Sequence, residues 1–260
     1  MRSNKNQAIN PLLNKTILVT RPIRREVKLR QLIEGLGGGI IHYPVFTITT
    51  PTPEQIKPLL LLQKQLHNFS MAIFISPTAV EQSQPYFPVL PKHLIIASIG
   101  SKTTQALIDR NIKVDIEAPD HNTESILQSD DFQKDAIKGK HILIFRGVGG
   151  RELLGETLIK RGAYINYVET YQRLLPSSPP LNTATLKTLN AITISSDNGL
   201  KNLITLMKGA KFLPHIPIIV PARRTHDYAL QQGFNTIITA KNATDEAIIK
   251  ALTVCLSDSS

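Results

Sequence analysis

Thr16-Ile-Leu-Val-Thr-Arg21-Pro22 and His141-Ile-Leu-Ile-Phe-Arg146-Gly147 spell the same local structure twice. Each is an aliphatic run that reads as a strand covered on both faces, and each stops at an Arg. A helical stretch follows, then a glycine turn (Gly37-Gly38-Gly39; Gly162-Ala163), then a second apolar strand (Ile40-Ile41-His42-Tyr43; Tyr164-Ile165-Asn166-Tyr167). The echo continues downstream. Phe74-Ile-Ser76-Pro-Thr78-Ala-Val80 answers Thr193-Ile-Ser195-Ser196-Asp197-Asn198-Gly199-Leu200. Ile99-Gly100-Ser-Lys-Thr103 answers Pro221-Ala222-Arg-Arg-Thr225, and His121-Asn-Thr123-Glu124 answers Asn242-Ala-Thr244-Asp245. The repeat predicts an α/β fold with two similar, doubly wound parallel-sheet lobes, a ligand in the cleft between them meeting matching strand ends.

The apolar runs predict strands at Thr16–Thr20, Ile40–Ile48, Met71–Ile75, Leu94–Ile99, His141–Phe145, Tyr164–Thr170, Ala191–Ser195, Ile216–Val220 and Thr236–Thr239. Between them, Leu29, Leu32, Ile33 and Leu36 keep helical spacing, with Arg24, Arg25, Lys28 and Arg30 turned to water and Gly37 as the stop. Leu153, Leu154 and Leu158 repeat this before Gly162. Prolines cluster after the second strand of each repeat, at Pro44, Pro51 and Pro53 and at Pro176-Ser-Ser-Pro-Pro180. Symmetry then suggests a discontinuous first lobe (15–41 and 175–256), a second lobe (49–166), and a two-stranded β-ladder of 42–48 and 167–174 joining them. A plain split near residue 135 is the rival. The polar residues 1–14 read as a disordered lead-in.

Composition removes several classes. No apolar run approaches the roughly 18 residues of a membrane span, and residues 1–14 lack the apolar stretch of a secretory signal. The one cysteine, Cys255, forms no internal disulfide, which points to a reducing, cytoplasmic setting. The net charge of +10 is local: residues 1–30 hold eight Lys/Arg against one Glu, whereas residues 31–140 hold nine against eleven acids. No Phe or Tyr sits among Arg21, Arg24, Arg25, Lys28 and Arg30, and the chain has no Trp, so a nucleic-acid stacking surface is not indicated. No Cys/His spacing suggests zinc.

The segment Arg146-Gly147-Val148-Gly149-Gly150-Arg151-Glu152 opens a helix directly after a strand. Glycines there free backbone amides to meet an anion, although a tight turn alone would also need glycine. It has neither the Gly-Lys-Ser/Thr ending of a P-loop nor the G-x-G-x-x-G dinucleotide spacing. Ser76, Thr78, Ser101, Thr103, Ser195, Ser196 and Asn198 all follow strands and precede helices. Each suits helix capping; as a set they place hydroxyls and amides at the carboxyl ends of strands, where α/β ligands bind. Tyr171 sits at the junction beside Glu169, Gln172 and Arg173 and is a packing residue or a phenolic acid. His42, His121 and His226 have no partner spacing and read as structural. No catalytic triad order or HExxH motif is present.

These segments, in order, resemble the uroporphyrinogen-III synthase family from Ile17 to about Leu252. The resemblance rests on Ile17-Leu-Val-Thr-Arg-Pro22, His42-Tyr-Pro44, Ile73-Phe-Ile-Ser-Pro-Thr-Ala-Val80, Ile99-Gly-Ser-Lys-Thr103, Leu143-Ile-Phe-Arg-Gly-Val-Gly-Gly-Arg-Glu-Leu153, Val168-Glu-Thr-Tyr-Gln-Arg173 and Thr193-Ile-Ser-Ser196. It implies two α/β lobes joined by a ladder and no cofactor or metal. It also implies a monomeric cytoplasmic lyase of haem and wider tetrapyrrole biosynthesis, receiving hydroxymethylbilane from hydroxymethylbilane synthase. The family cyclises that substrate with inversion of the last pyrrole, through an azafulvene cation and a spiro intermediate, and releases water. Loss of the hydroxyl needs little help, so holding a flexible polyanion is the harder task, and amides, hydroxyls and a few Arg suit it. The resemblance gives Tyr171 the place of the tyrosine proposed to assist hydroxyl departure and Thr103 that of a cleft threonine. Arg21, Ser76, Thr78, Ser101, Arg146, Gly147, Gly149, Gly150, Ser195, Ser196, Asn198 and Arg224 complete the expected substrate contacts. One departure stands out: Pro221-Ala222-Arg223-Arg224 replaces a Val-Ser-Glu-Arg type segment, keeping only the last Arg. The alternative from another class is a non-catalytic two-lobed binder of a small polyanion.

Overall fold

A computed structural model describes residues 10–120 and 122–257; His121 and both chain ends lie outside the described residues. The elements run β1 (Thr16–Val19), α1 (Val27–Gly35), β2 (Gly39–His42), β3 (Thr47–Thr49), α2 (Pro53–Lys64), β4 (Met71–Phe74), α3 (Pro77–Ser83), β5 (Ile95–Ser98), α4 (Ser101–Ile108), β6 (Ile116–Glu117) and α5 (Thr123–Gln128). They continue α6 (Lys134–Ile137), β7 (His141–Gly147), α7 (Leu153–Lys160), β8 (Tyr164–Leu174), α8 (Thr183–Thr188), β9 (Ala191–Thr193), α9 (Asp197–Leu206), β10 (Ile218–Val220), α10 (Arg223–Gln231), β11 (Ile237–Thr239) and α11 (Asp245–Ser257). The chain divides into two compact units, Met1–Thr47 with Leu174–Ser260, and Ile48–Arg173.

The first unit holds a sheet of order β2-β1-β9-β10-β11, parallel at every pairing. Numbered by rank along the chain this is the 2-1-3-4-5 doubly wound order, which reverses direction between β1 and β9. Side chains alternate as strands require. Leu18, Ile192, Ile218 and Val220 point to one face, packed with Leu186, Leu200, Leu203 and Ala229 of α8, α9 and α10. Ile17, Val19, Ala191 and Ile219 point to the other, packed with Leu29 and Ile33 of α1 and Ile248, Leu252 and Leu256 of α11.

The second unit holds the order β3-β8-β7-β4-β5-β6, with β8 through β6 parallel. Counted from β7 rather than β4, those five strands again read 2-1-3-4-5. The repeat is therefore a true structural repeat with its chain order rotated, and its reversal lies between β7 and β4. Ala72, Phe74, Leu143 and Phe145 face Ala79, Val80 and Leu107 of α3 and α4, while Met71, Ile73, Ile142 and Ile144 face Ile126, Leu154 and Leu158 of α5 and α7.

Three details correct the sequence reading. The single strand expected over Ile40–Ile48 is two, β2 and β3, because Pro44 has no N–H to donate; Tyr43 and Val45 instead donate to Val19 O and Thr20 O. The two-residue edge strand β6 carries too little pattern to be seen. Of the lead-in expected to be disordered, residues 1–9 lie outside the described residues, whereas 11–14 form a turn and Leu12 is completely buried against Ile17 and Ile33.

Helix ends explain the glycines. The Gly37 and Gly38 amides donate to Glu34 O and Ile33 O at 2.9 and 3.0 Å, with Gly37 at φ +83, a Schellman close. Gly162 and Ala163 close α7 the same way, on Ile159 O and Leu158 O. Gly35, inside α1, would place a Cβ in open space, whereas one on Gly37 would lie 3.1 Å from Asn10 Cβ. Gly35→Ala should therefore raise unfolding stability by about 0.4–1 kcal/mol, and Gly37→Ala should lower it by about 1–2 kcal/mol. Urea denaturation checks both signs.

Candidate functional site

In open parallel sheets the usable crevice lies outside the carboxyl ends of the strands, at the order reversal. In the second unit the strand ends there are Phe74-Ile75-Ser76 and Phe145-Arg146-Gly147, with β8 beside them. Arg146 pairs with Glu169, but the next residue, Gly147, pairs with Tyr171, so Thr170 is an extra residue in β8. This bulge puts Val168 and Tyr171, three apart, on the same face, and both join the cluster containing Phe74 and Phe145. Tyr171 is 3% exposed. Its ring covers Gly147 so closely that a Cβ there would sit 2.7 Å from ring atoms, and its carbonyl accepts the Val148 amide at 2.9 Å.

The Tyr171 hydroxyl lies 3.2 Å from Ser76 Oγ. Ser76 also caps α3, accepting from the Ala79 amide at 3.1 Å. Ser76 is half-buried, so the phenol meets the outside through the serine. Either hydroxyl can donate in this bond.

Arg146 occupies a different place from the one expected. It is 2% exposed, with Nη2 donating to Gly150 O at 2.6 Å and Glu152 Oε1 at 2.9 Å. Glu169 lies 3.4 Å from its Nε, and its guanidinium carbon stands 4.4 Å from the centroid of the Tyr167 ring. The guanidinium is engaged by the protein's own groups and holds the glycine loop against the end of β7. Gly150 is needed because a Cβ would meet Arg146 Nε at 3.2 Å, and Gly149 because its φ is +69. Among the described residues the Gly149 and Gly150 amides make no hydrogen bond, and Gly149 is exposed. Arg151, the other cation of the loop, pairs with Glu124 at 2.8 Å. The loop thus offers amides more than free charge.

The remaining expected contacts divide by position. Thr103 is 1% exposed, and its hydroxyl donates back to Ile99 O at 3.0 Å. Thr78 is 5% exposed in the first turn of α3, while Ser101 is exposed at the start of α4. In the first unit, Thr20 donates to Thr193 O at 2.7 Å and ties β1 to β9 at the reversal. Arg21 pairs with Asp245, both nearly buried. His42 Nε2 approaches Arg21 O at 2.8 Å, and its Nδ1 lies 3.8 Å from Glu26. Ser196 caps α9 through the Gly199 amide at 3.1 Å, Ser195 is half-buried beside it, and Asn198 is exposed. Arg224 is extended over Asp197 at 2.8 Å and remains largely exposed, and Thr225 also donates to Asp197. Ala222 holds the cap position of α10 without a side-chain bond, as its missing hydroxyl requires. Arg223 pairs with Asp227 at 2.9 Å.

Sequence reasoning did not identify Thr20, Glu152, Glu169, Tyr167, Asp197 or Asp245 as partners. Acidic residues in the first turns of α9 and α11 were the available signal for the last two, Asp197 meeting Arg224 of α10 and Asp245 the strand-end Arg21.

The fold is thus an α/β one with hydroxyls and loop amides grouped at the carboxyl ends of β4 and β7. A family model described as Uroporphyrinogen-III synthase HemD matches residues 27–250, and the chain belongs to that family. The uroporphyrinogen-III synthase of Escherichia coli is 28% identical over 249 residues, covering 91% of this chain and 99% of the relative. That of Synechococcus elongatus is 29% identical over 209 residues, 77% of each chain. Among solved structures, a mutant uroporphyrinogen III synthase from Thermus thermophilus superposes with a TM-score of 0.63 at 14% identity, covering 94% and 99% of the two chains. The Helicobacter pylori synthetase gives 0.59 at 16%, covering 92% and 99%. These two show the fold.

Two predictions follow from the geometry. Thr170 Oγ1 is buried without a hydrogen bond in the bulge, and an unmet hydroxyl costs about 1–3 kcal/mol. Thr170→Val should therefore raise stability by about 1 kcal/mol, read as a higher urea midpoint at unchanged slope. Burial, with the Glu152 carboxylate that Tyr167 donates to at 2.8 Å, pushes the Tyr167 phenol up to about 12. A raised phenol favours the folded state fully below its ordinary value of 10.0 and loses that support between 10.0 and about 12. The ultraviolet titration difference between wild type and Tyr167→Phe should show that late phenol, and Glu152→Gln should move it earlier.

Proposed function

We propose that the chain is a uroporphyrinogen-III synthase that cyclises hydroxymethylbilane to uroporphyrinogen III and water, a lyase reaction. The family match over residues 27–250 carries the reading. The hydroxyl and amide chemistry at the carboxyl end of β4 and β7 supports it.

In this proposal the C–O bond of the terminal hydroxymethyl group breaks, and the hydroxyl leaves as water with a proton from Ser76. Tyr171, 3.2 Å behind, refills the serine. The resulting azafulvene cation is attacked by the substituted carbon of the last pyrrole to give the spiro intermediate. That intermediate fragments and recloses with the ring inverted, and the proton lost from the final pyrrole carbon restores the relay. The pyrrole nitrogens stabilise the cation, so the protein's main contribution is to hold reacting carbons together. Each unit offers its own proposed contacts for acidic arms: the Gly149 and Gly150 amides with Ser101 in the second, and Ser195, Asn198 and Arg224 in the first. We place the enzyme in the cytoplasm as a monomer supplied by hydroxymethylbilane synthase.

Hydroxymethylbilane closes unaided to isomer I. Added protein should turn the product to isomer III after oxidation and separation of the uroporphyrins; isomer I alone from folded protein would overturn the assignment. Ser76→Ala and Tyr171→Phe should each slow turnover about 10-fold or more, and the double variant no further than the worse single. Full activity in Tyr171→Phe would remove the acid role.

A further inference from the structure

The second unit has a cavity at the opposite, amino-terminal end of its sheet. It holds about 450 Å³, between the Pro88–Lys92 loop before β5 and the Arg110–Asp115 loop before β6. A further space of about 170 Å³ shares Pro88, Leu90, Arg110 and Ile112 with it and reaches inward to Phe74 and Phe87. The larger volume falls within the roughly 300–1,000 Å³ typical of small-molecule sites.

The internal repeat supplies a control. The same two bonds close α4 and α10. Asn111 and Ile112 amides donate to Ile108 O and Leu107 O; Gly233 and Phe234 amides donate to Leu230 O and Ala229 O. Arg110, Asn111 and Ile112 therefore stand where the first unit has Gln232, Gly233 and Phe234. There Phe234 is 2% exposed and fills its core. Here the smaller Ile112 is only partly buried and lines open space.

The charges at the cavity are unequal. Lys113 is bound to Asp115 at 2.7 Å, and Asp115 also accepts the Ile96 amide at 3.0 Å. Arg110 is half-buried just past α4, and its guanidinium makes a long 3.3 Å bond to Ala106 O of that helix. Lys92 at the rim has no ion pair among the described residues. A slot with one aliphatic wall (Leu90, Ile96, Ile112) and an under-used guanidinium on its polar side suits an apolar body that carries one anionic group.

We propose that this slot is a second ligand site, separate from the one at the carboxyl ends, for a small aromatic or branched apolar acid. Arg110 holds the anionic group and Leu90, Ile96 and Ile112 hold the body. The test is fluorescence titration of the full chain with 8-anilinonaphthalene-1-sulfonate and its uncharged analogue N-phenyl-1-naphthylamine. Each substitution installs the residue the other repeat uses. Arg110→Gln should weaken the sulfonate probe about 10-fold and leave the uncharged probe unchanged. Ile112→Phe should weaken both, by filling the slot. Both variants should form isomer III at the wild-type rate, so this result is separable from the synthase assay. Sulfonate binding unchanged in either variant, or equal losses of both probes in Arg110→Gln, would overturn the proposal.

Discussion

One extra residue in β8 governs the candidate site. Regular pairing would alternate Glu169, Thr170 and Tyr171 across the sheet, sending Tyr171 to the face opposite Val168. The bulge at Thr170 restores Tyr171 to Val168's face, over Gly147 and against Ser76. Its cost is visible as the buried, unbonded Thr170 hydroxyl. Everything else at that strand end is arranged around the result: Gly147 has no room for a side chain, and Ser76 is both helix cap and the outward end of the hydroxyl pair.

The repeated Arg at the end of β1 and β7 shows how duplication and divergence combine. Both guanidiniums are turned inward to acids, Arg21 to Asp245 and Arg146 to Glu152 and Glu169. Such pairs are weak evidence for net stability, because desolvating the buried guanidinium offsets much of the attraction; Arg146 is 2% exposed while Glu152 and Glu169 remain substantially exposed. Their geometric effect is clearer: Arg146 bonds the Gly150 carbonyl and fixes the loop whose amides face out. What this strand end of the second unit presents outward is therefore hydroxyl and amide rather than free charge.

The fold was legible because its signal is local and repeated. Ile17, Val19, Ile142 and Ile144 sit in runs too apolar for anything but covered strands, and Gly37 and Gly162 mark helix ends through the same two-bond closure. The site was legible only in part. Ser76 and Gly147 were found from their positions after strands. The inward turn of Arg146 was not, because a strand-end Arg before glycines looks the same whether its partner is a ligand or Glu152, six residues on. The surroundings of Thr103 were hidden for a similar reason: its hydroxyl donates to Ile99 O, four residues back, a bond invisible in a pattern of hydroxyls. A bulge leaves no mark in composition, so the orientation of Tyr171 needed coordinates.

The central claim is that the ligand is held at the carboxyl ends of the strands, with the Ser76 and Gly149 loops in contact. Amide hydrogen exchange with and without saturating uroporphyrinogen III tests it directly. The account predicts slowed exchange in residues 76–80 and 147–151, and none in the amino-end loops 88–92 and 110–115. Protection confined to the amino-end loops, or no change in either carboxyl-end loop under conditions where binding is measured, would contradict it.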